Sequence, residues 1–108
     1  MTVDSLVQHG FHAVSLPDAS REVQGVYIGD LLSWVMGRAG ADHAWITIMS
    51  NVNVIAVASL ADTACVILAE GVTLEESLIR TAQDKNVNIL RSDLPAYETA
   101  IKLSELLA

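Results

Sequence analysis

The sequence predicts a single α/β domain, a layered sandwich whose mainly parallel central sheet of about five strands is flanked by helices. Three observations carry this. Short apolar runs such as Trp45 to Ile48 and Ala64 to Ala69 have few polar atoms on either side, the pattern of strands covered on both faces. Helical stripes with cap-forming residues stand between those runs, as crossovers between parallel neighbours require. No linker, low-complexity stretch or charge block divides the 108 residues, so residues 1–108 form one domain, long enough to bury a core without disulfide or metal staples.

Thr2 to Gln8 forms one or two helical turns, with Thr2 as cap and Gly10 as terminator, and Phe11 to Leu16 alternates like a short strand. Pro17, Asp18 and Ser20 mark a turn. Val23 to Ile28 is strand-like, and Gly29-Asp30 switches the chain into a helix carrying Leu31, Leu32, Trp34, Val35 and Met36, with Asp30 as the cap. Trp45 to Ile48 reads as the central strand. Val52 to Ala61 is ambiguous, since β-branched residues favour a strand while Ala56, Ala58, Leu60 and Ala61 suit a helix. Connectivity decides for the helix, because Ala64 to Ala69 is another buried strand and the crossover needs one. Thr73 to Asn86 is the clearest helix, opened by a Thr73-x-x-Glu76 capping box, with Leu74, Leu78, Ile79 and Ala82 on one stripe and Glu76 and Arg80 spaced to pair. Val87 to Leu90 is a short strand. Ser92 or Asp93 caps the last helix, Pro95 sits in its first turn, and Tyr97, Ala100, Ile101 and Leu107 supply its buried side.

Composition narrows the function. Six basic against thirteen acidic residues give a formal charge of −7, and no Lys/Arg cluster offers the footprint that nucleic acid needs. The most apolar window, Val54 to Ala69, is broken by Ser59, Asp62 and Thr63 and falls short of the roughly 20 residues that cross a bilayer. The N-terminal residues lack the basic and apolar regions of a signal peptide, and the single Cys65 reads as a buried thiol in a reducing compartment, so the expected location is cytoplasmic. A content of 52% hydrophobic residues in so small a chain points to surface covered by a second copy, a homodimer.

Ligands of parallel sheets sit at the carboxyl ends of strands. The turns there supply Ser50, Asn51, Asn53, Glu70, Gly71 and Thr73 as candidate ligand-binding residues, with Asp30, Ser92 and Asp93 nearby. Neither GxGxxG nor GxxxxGK[ST] is present, and Asp30, Glu70 and Asp93 would repel a phosphate. No cofactor is expected, and no metal, since the acids lack the calcium-loop spacing and His9, His12 and His43 read as structural or surface residues. No nucleophile elbow or Cys/His pair appears, so the chain reads as a non-enzyme. Val52 to Leu60 has no polar face, which makes Val52, Ile55, Ala56 and Ser59 the candidate dimer interface.

The strings GVYIGDLLSWVMG (residues 25–37), WITIMSNVNVIAVASL (45–60), ACVILAEG (64–71) and NILRSDLPAYETA (88–100) resemble the DRTGG domain family, above all its small stand-alone members related to the N-terminal domain of HPr serine kinase/phosphorylase. That resemblance implies an α/β module of regulatory, dimer-forming character without established chemistry, found alone or fused to CBS-domain pyrophosphatases, phosphate acetyltransferases and ATP-binding domains. Where the family's Asp-Arg falls, this chain has Asn51 and Val52. Where Thr-Gly-Gly falls, it has Ala69, Glu70 and Gly71, so only the last glycine is kept. The P-loop domain that performs catalysis in HPr kinase is not in this sequence. The leading expectation is a non-catalytic regulatory or protein-interaction module, homodimeric through apolar helix surface and acting on a partner protein. Its rival is a small-ligand sensor for a nucleotide or metabolite at the strand C-terminal turns.

Overall fold

Ten elements alternate along the computed structural model, which describes residues 1–108: α1 (Val3–Gln8), β1 (His12–Ser15), β2 (Gly25–Ile28), α2 (Leu32–Arg38), β3 (His43–Thr47), α3 (Val52–Ala61), β4 (Cys65–Leu68), α4 (Glu76–Asp84), β5 (Ile89–Arg91) and α5 (Ala96–Leu107). The strands form one sheet in the order β1-β5-β4-β3-β2. Strands β2 to β5 are parallel in register, and β1 runs antiparallel beside β5. The expected α/β sandwich with a mainly parallel five-stranded sheet is therefore the fold.

The centre of the sheet is β4, not β3, which corrects the expectation for Trp45 to Ile48. Composition alone does not separate the two, since both strands are covered on both faces. Position is set by the far end of the chain: β1 crosses to the outer side of β5, which leaves β4 in the middle and β2 at an open edge.

Successive crossovers from β2 to β5 step the same way and put α2, α3 and α4 on one face. Their core joins Val35, Val54, Ile55, Ala58, Leu74 and Ala82 to Trp45, Val66, Leu68 and Ile89. The alternate strand residues Ala44, Ile46, Cys65, Ile67 and Leu90 point to the other face, where Val3, Leu6 and Phe11 near the N-terminus and Leu103 of α5 cover them. Val52–Ala61 is helical throughout and capped by Asn51, whose Oδ1 accepts the Asn53 N–H at 3.0 Å.

Three expected caps do not form. Asp30 is not the cap of α2; its Oδ1 accepts from the Thr47 hydroxyl at 2.6 Å and the Ile48 N–H at 3.0 Å, tying the turn to the end of β3. Thr73 does not open α4, which begins at Glu76 after the non-helical residues 72–75, because Leu74 is drawn into the core; Glu76 and Arg80 form no ion pair. Neither Ser92 nor Asp93 caps α5, which begins after Pro95, a residue that holds its predecessor extended. Along α5, Thr99 and Leu103 are the buried residues, while Tyr97 and Ile101 face outward.

The amino end of the sheet is closed by residues 16–24, which cross from β1 to β2. Asn88 anchors the start, accepting the Asp18 N–H at 3.0 Å and donating to the Asp18 carbonyl at 2.7 Å and the Ala64 carbonyl at 3.0 Å. Arg21 then donates through Nε to Asp42 Oδ1 at 2.8 Å and through Nη2 to Asp62 Oδ1 at 2.8 Å and the Asp62 carbonyl at 2.7 Å. Asp42 and Asp62 both hold left-handed backbone, φ 64° and 58°, in the turns that enter β3 and β4. Partial burial pulls the Arg21 guanidinium down, but the hydrogen bonds and charges of Asp62 and Asp42 outweigh it and leave the group above the ordinary arginine range. With this end strapped, open turns remain at the carboxyl end.

Candidate functional site

The carboxyl-end turns are pinned from below by β3. Trp45, fully buried, donates its indole N–H to the Gly29 carbonyl at 2.8 Å, and Thr47 Oγ1 accepts the Met49 N–H at 3.2 Å while its own proton goes to Asp30. One strand thus fixes both the turn into α2 and the turn into α3.

Helices after β4 and β5 leave toward opposite faces, which makes the gap between those strand ends the place where an open α/β sheet holds a ligand. Here that gap is bridged by backbone. Glu70 and Gly71, both left-handed at φ 62° and 68°, donate their N–H groups to the carbonyls of Leu94 at 2.9 Å and Ser92 at 2.8 Å. Below them the Ser92 hydroxyl meets Thr99 Oγ1 at 2.8 Å and accepts the Leu94 N–H at 3.2 Å, and Thr99 donates to the Leu94 carbonyl at 3.2 Å. The N–H groups that would cradle an anion are already spent.

An open cleft of about 420 Å3 lies instead between the turn into α3 and the turn into α4, lined by Ser50, Asn51, Val52, Thr73, Glu75 and Leu78. The six ligand-turn candidates thus separate. Ser50, Asn51 and Thr73 meet in this cleft, Asn53 stands exposed on the first turn of α3, and Glu70 and Gly71 belong to the bridged gap. Hydroxyls, an amide and one carboxylate face the cleft, and no cation does, so its chemistry suits a neutral hydrogen-bonding group better than a phosphate. Glu75 and Leu78 were not anticipated, because the displaced start of α4 moves them to the rim.

Of the candidate interface residues, Ile55 is 1% exposed and belongs to the domain's own core. Val52, Ala56, Ser59 and Leu60 face outward along a shallow groove of about 250 Å3 that Thr81 and Lys85 complete. His12 Nε2 lies 3.0 Å from Asp93 Oδ2 at the surface, and His43 Nδ1 accepts the Gly40 N–H at 3.1 Å. Cys65 is fully buried and burial pushes its thiol up to about 12, which makes it inert as a nucleophile. No three His, Cys, Asp or Glu side chains cluster as metal ligands would, and no helix is long and apolar enough to cross a membrane.

The family model of the DRTGG domain matches residues 14–106. This chain is a DRTGG domain. The matched span runs from the second half of β1 through almost all of α5, so it takes in the four parallel strands and both candidate surfaces. Among solved structures, the domain is similar to the regulatory region of Clostridium perfringens pyrophosphatase, which comprises CBS and DRTGG domains and is complexed with the activator diadenosine tetraphosphate. The TM-score is 0.65 at 13% identity, covering 86% of this chain and 40% of that one. At that identity the likeness is one of fold, and the chain spans less than half of the region it matches. None of the curated proteins matches this sequence. The family match agrees with the resemblance read from the residues.

Proposed function

We propose that this DRTGG domain is a non-catalytic regulatory module that works by protein contact, pairing with a second copy of itself and presenting apolar surface to a protein it regulates. One observation carries this: the apolar side chains left outside the core. Leu31, Trp34, Met36, Ile48, Val52 and Leu60, on and around the neighbouring helices α2 and α3, are each between 43 and 72% exposed. Helix α2 buries only Val35, and the Arg38 guanidinium lies 3.8 Å from the centre of the Trp34 ring, over its face. Monomers of this size rarely leave such a patch to water. A lone buried thiol and a reduced environment fit together, so the module works in the cytoplasm. Light scattering across micromolar concentrations tests the pairing: a mass that stays monomeric throughout contradicts it.

A second function has its own support. The cleft between Ser50, Asn51 and Thr73 has the size and polarity for a small neutral ligand, and the C. perfringens regulatory region is complexed with an activator, diadenosine tetraphosphate. A thermal-shift panel of nucleosides, nucleotides and sugar phosphates distinguishes the two. Protein contact alone predicts no shift, and a sensor predicts a rise with ligand concentration that is abolished by Thr73→Val.

A further inference from the structure

We infer that the second copy docks on the groove between α3 and α4 across a two-fold axis, with the two α3 helices antiparallel and Glu75 of each copy against Lys85 of the other. This deepens the proposed pairing, and rests on it, by fixing which helices meet and what orients them. Helix α3 stands between α2 and α4, close against α2 and only lightly packed on α4. The lightly packed side is the groove of about 250 Å3 walled by Val52, Ala56 and Leu60 of α3 and by Thr81 of α4. Val52 also lines the cleft of about 420 Å3 at the carboxyl end, so groove and cleft form one trough along the roughly 15 Å of α3. The two ends of the trough are charged and its middle is not. Glu75 lines one end and Lys85 the other, and neither forms an ion pair within its own chain.

The occupant follows from charge and symmetry. Each chain carries a formal −7, so two copies approach best where the centre of the contact holds no acid, and α3 carries no charge at all. Its outward residues Val52, Ala56 and Leu60 recur every fourth position and make one row with the smallest side chain in the middle. A two-fold axis at Ala56 sets Ala56 against Ala56 of the second copy, and Val52 against Leu60 in both directions. The row is complementary to itself, as an isologous contact demands, and its small centre lets the helices approach closely. The same rotation lays α4 end for end over its counterpart. Glu75 directly precedes α4 and Lys85 directly follows it, so each carboxylate reaches the ammonium of the other copy. A parallel arrangement would lay α4 over α2 instead and bring Glu75 to the Leu31 end of that helix, beside Asp30, where no cation stands. On the other flank of α3, the exposed Trp34 and Met36 of α2 widen the apolar contact.

Sedimentation velocity on Glu75→Lys, Lys85→Glu and Ala56→Arg tests this, each first confirmed as folded by circular dichroism and melting; all three residues are exposed, so none supports the core. Either charge reversal alone sets like charges against each other twice per dimer and should weaken self-association by about tenfold. An equimolar mixture of Glu75→Lys and Lys85→Glu should associate as the native chain does, since every contact is again between opposite charges. Ala56→Arg, which puts a charge at the two-fold centre, should leave monomers. Reversals that change nothing, or a mixture that fails to recover, overturn the antiparallel assignment, and an Ala56→Arg chain that pairs normally overturns the α3 face; the pairing itself survives both. A native chain that is monomeric at every concentration overturns the pairing and the assignment together.

Discussion

Replacing Arg21 by methionine removes the clasp at the amino end of the sheet and keeps most of the apolar stem. The Arg21 side chain is 20% accessible, and three hydrogen bonds of 2.7–2.8 Å join it to Asp42 and Asp62. Enclosed hydrogen bonds to charged groups contribute about 1.5–3 kcal/mol each. The Asp42 and Asp62 side chains are 41% and 67% accessible, so water screens the pairs and the combined loss should be about 2 kcal/mol, well below the sum. For a domain of this length that lowers the Tm by roughly 8–12 °C. The raised pKa of Arg21 fixes the pH dependence: a base stabilised in its charged form contributes fully below its unfolded pKa and loses the contribution only as pH climbs past the folded one, beyond the usable range. The deficit should therefore stay constant from neutral to mildly alkaline pH. Denaturant titration measures it as a lower midpoint at unchanged slope. A second substitution isolates the cause. Asp62→Gly relieves about 1 kcal/mol of left-handed backbone cost, so it should stabilise the Arg21→Met background and gain nothing in the native one. A loss below about 0.5 kcal/mol for Arg21→Met, or the same effect of Asp62→Gly in both backgrounds, refutes the clasp.

Trp45→Phe should cost about 2–3 kcal/mol, since it leaves a void under the α2 turn and strips the Gly29 carbonyl of its donor; thermal melts read the loss. Glu70→Gly restores a glycine at a left-handed position and should raise stability by about 0.5–1 kcal/mol in denaturant titration, because Glu70 bonds through its backbone rather than its side chain. Cys65 should resist thiol reagents in the folded protein, with labelling that tracks unfolding. Its thiol is pushed up to about 12 by burial from an ordinary 9.0, so stability should be indifferent to it below pH 9. Above that the unfolded thiol ionises while the folded one does not, and stability should fall by about 1.4 kcal/mol per pH unit, a slope that Cys65→Val removes.

All ten elements were legible in the sequence, because apolar runs of strand length and stripes of helical period alternate without a break. The boundaries were less so, since local cap signals lost to tertiary pull: Leu74 into the core before α4, and Asp30 toward Thr47 and Ile48. The central strand could not be read from composition, since it depends on β1 crossing to the far edge. Val52–Ala61 reads as apolar all round, yet its core side is Val54, Ile55, Val57 and Ala58 and its outer side Val52, Ala56 and Leu60. Only packing separates core from surface in such a helix. Sequence reasoning grouped Ser50, Asn51 and Thr73 with Glu70 and Gly71; the fold divides them, because Glu70 and Gly71 spend their N–H groups on carbonyls of the turn after β5. The Arg21 clasp joins residues 21 and 41 positions apart and leaves no local signal.

The proposal that this DRTGG domain works by contact between proteins, beginning with its own second copy, is tested most directly by amide hydrogen exchange at high and low protein concentration. Protection at a set of surface amides should rise with concentration together with the sedimenting mass, while the β3 and β4 amides exchange alike throughout. Exchange that is the same at every residue and every concentration, with a monomeric mass, would contradict the account.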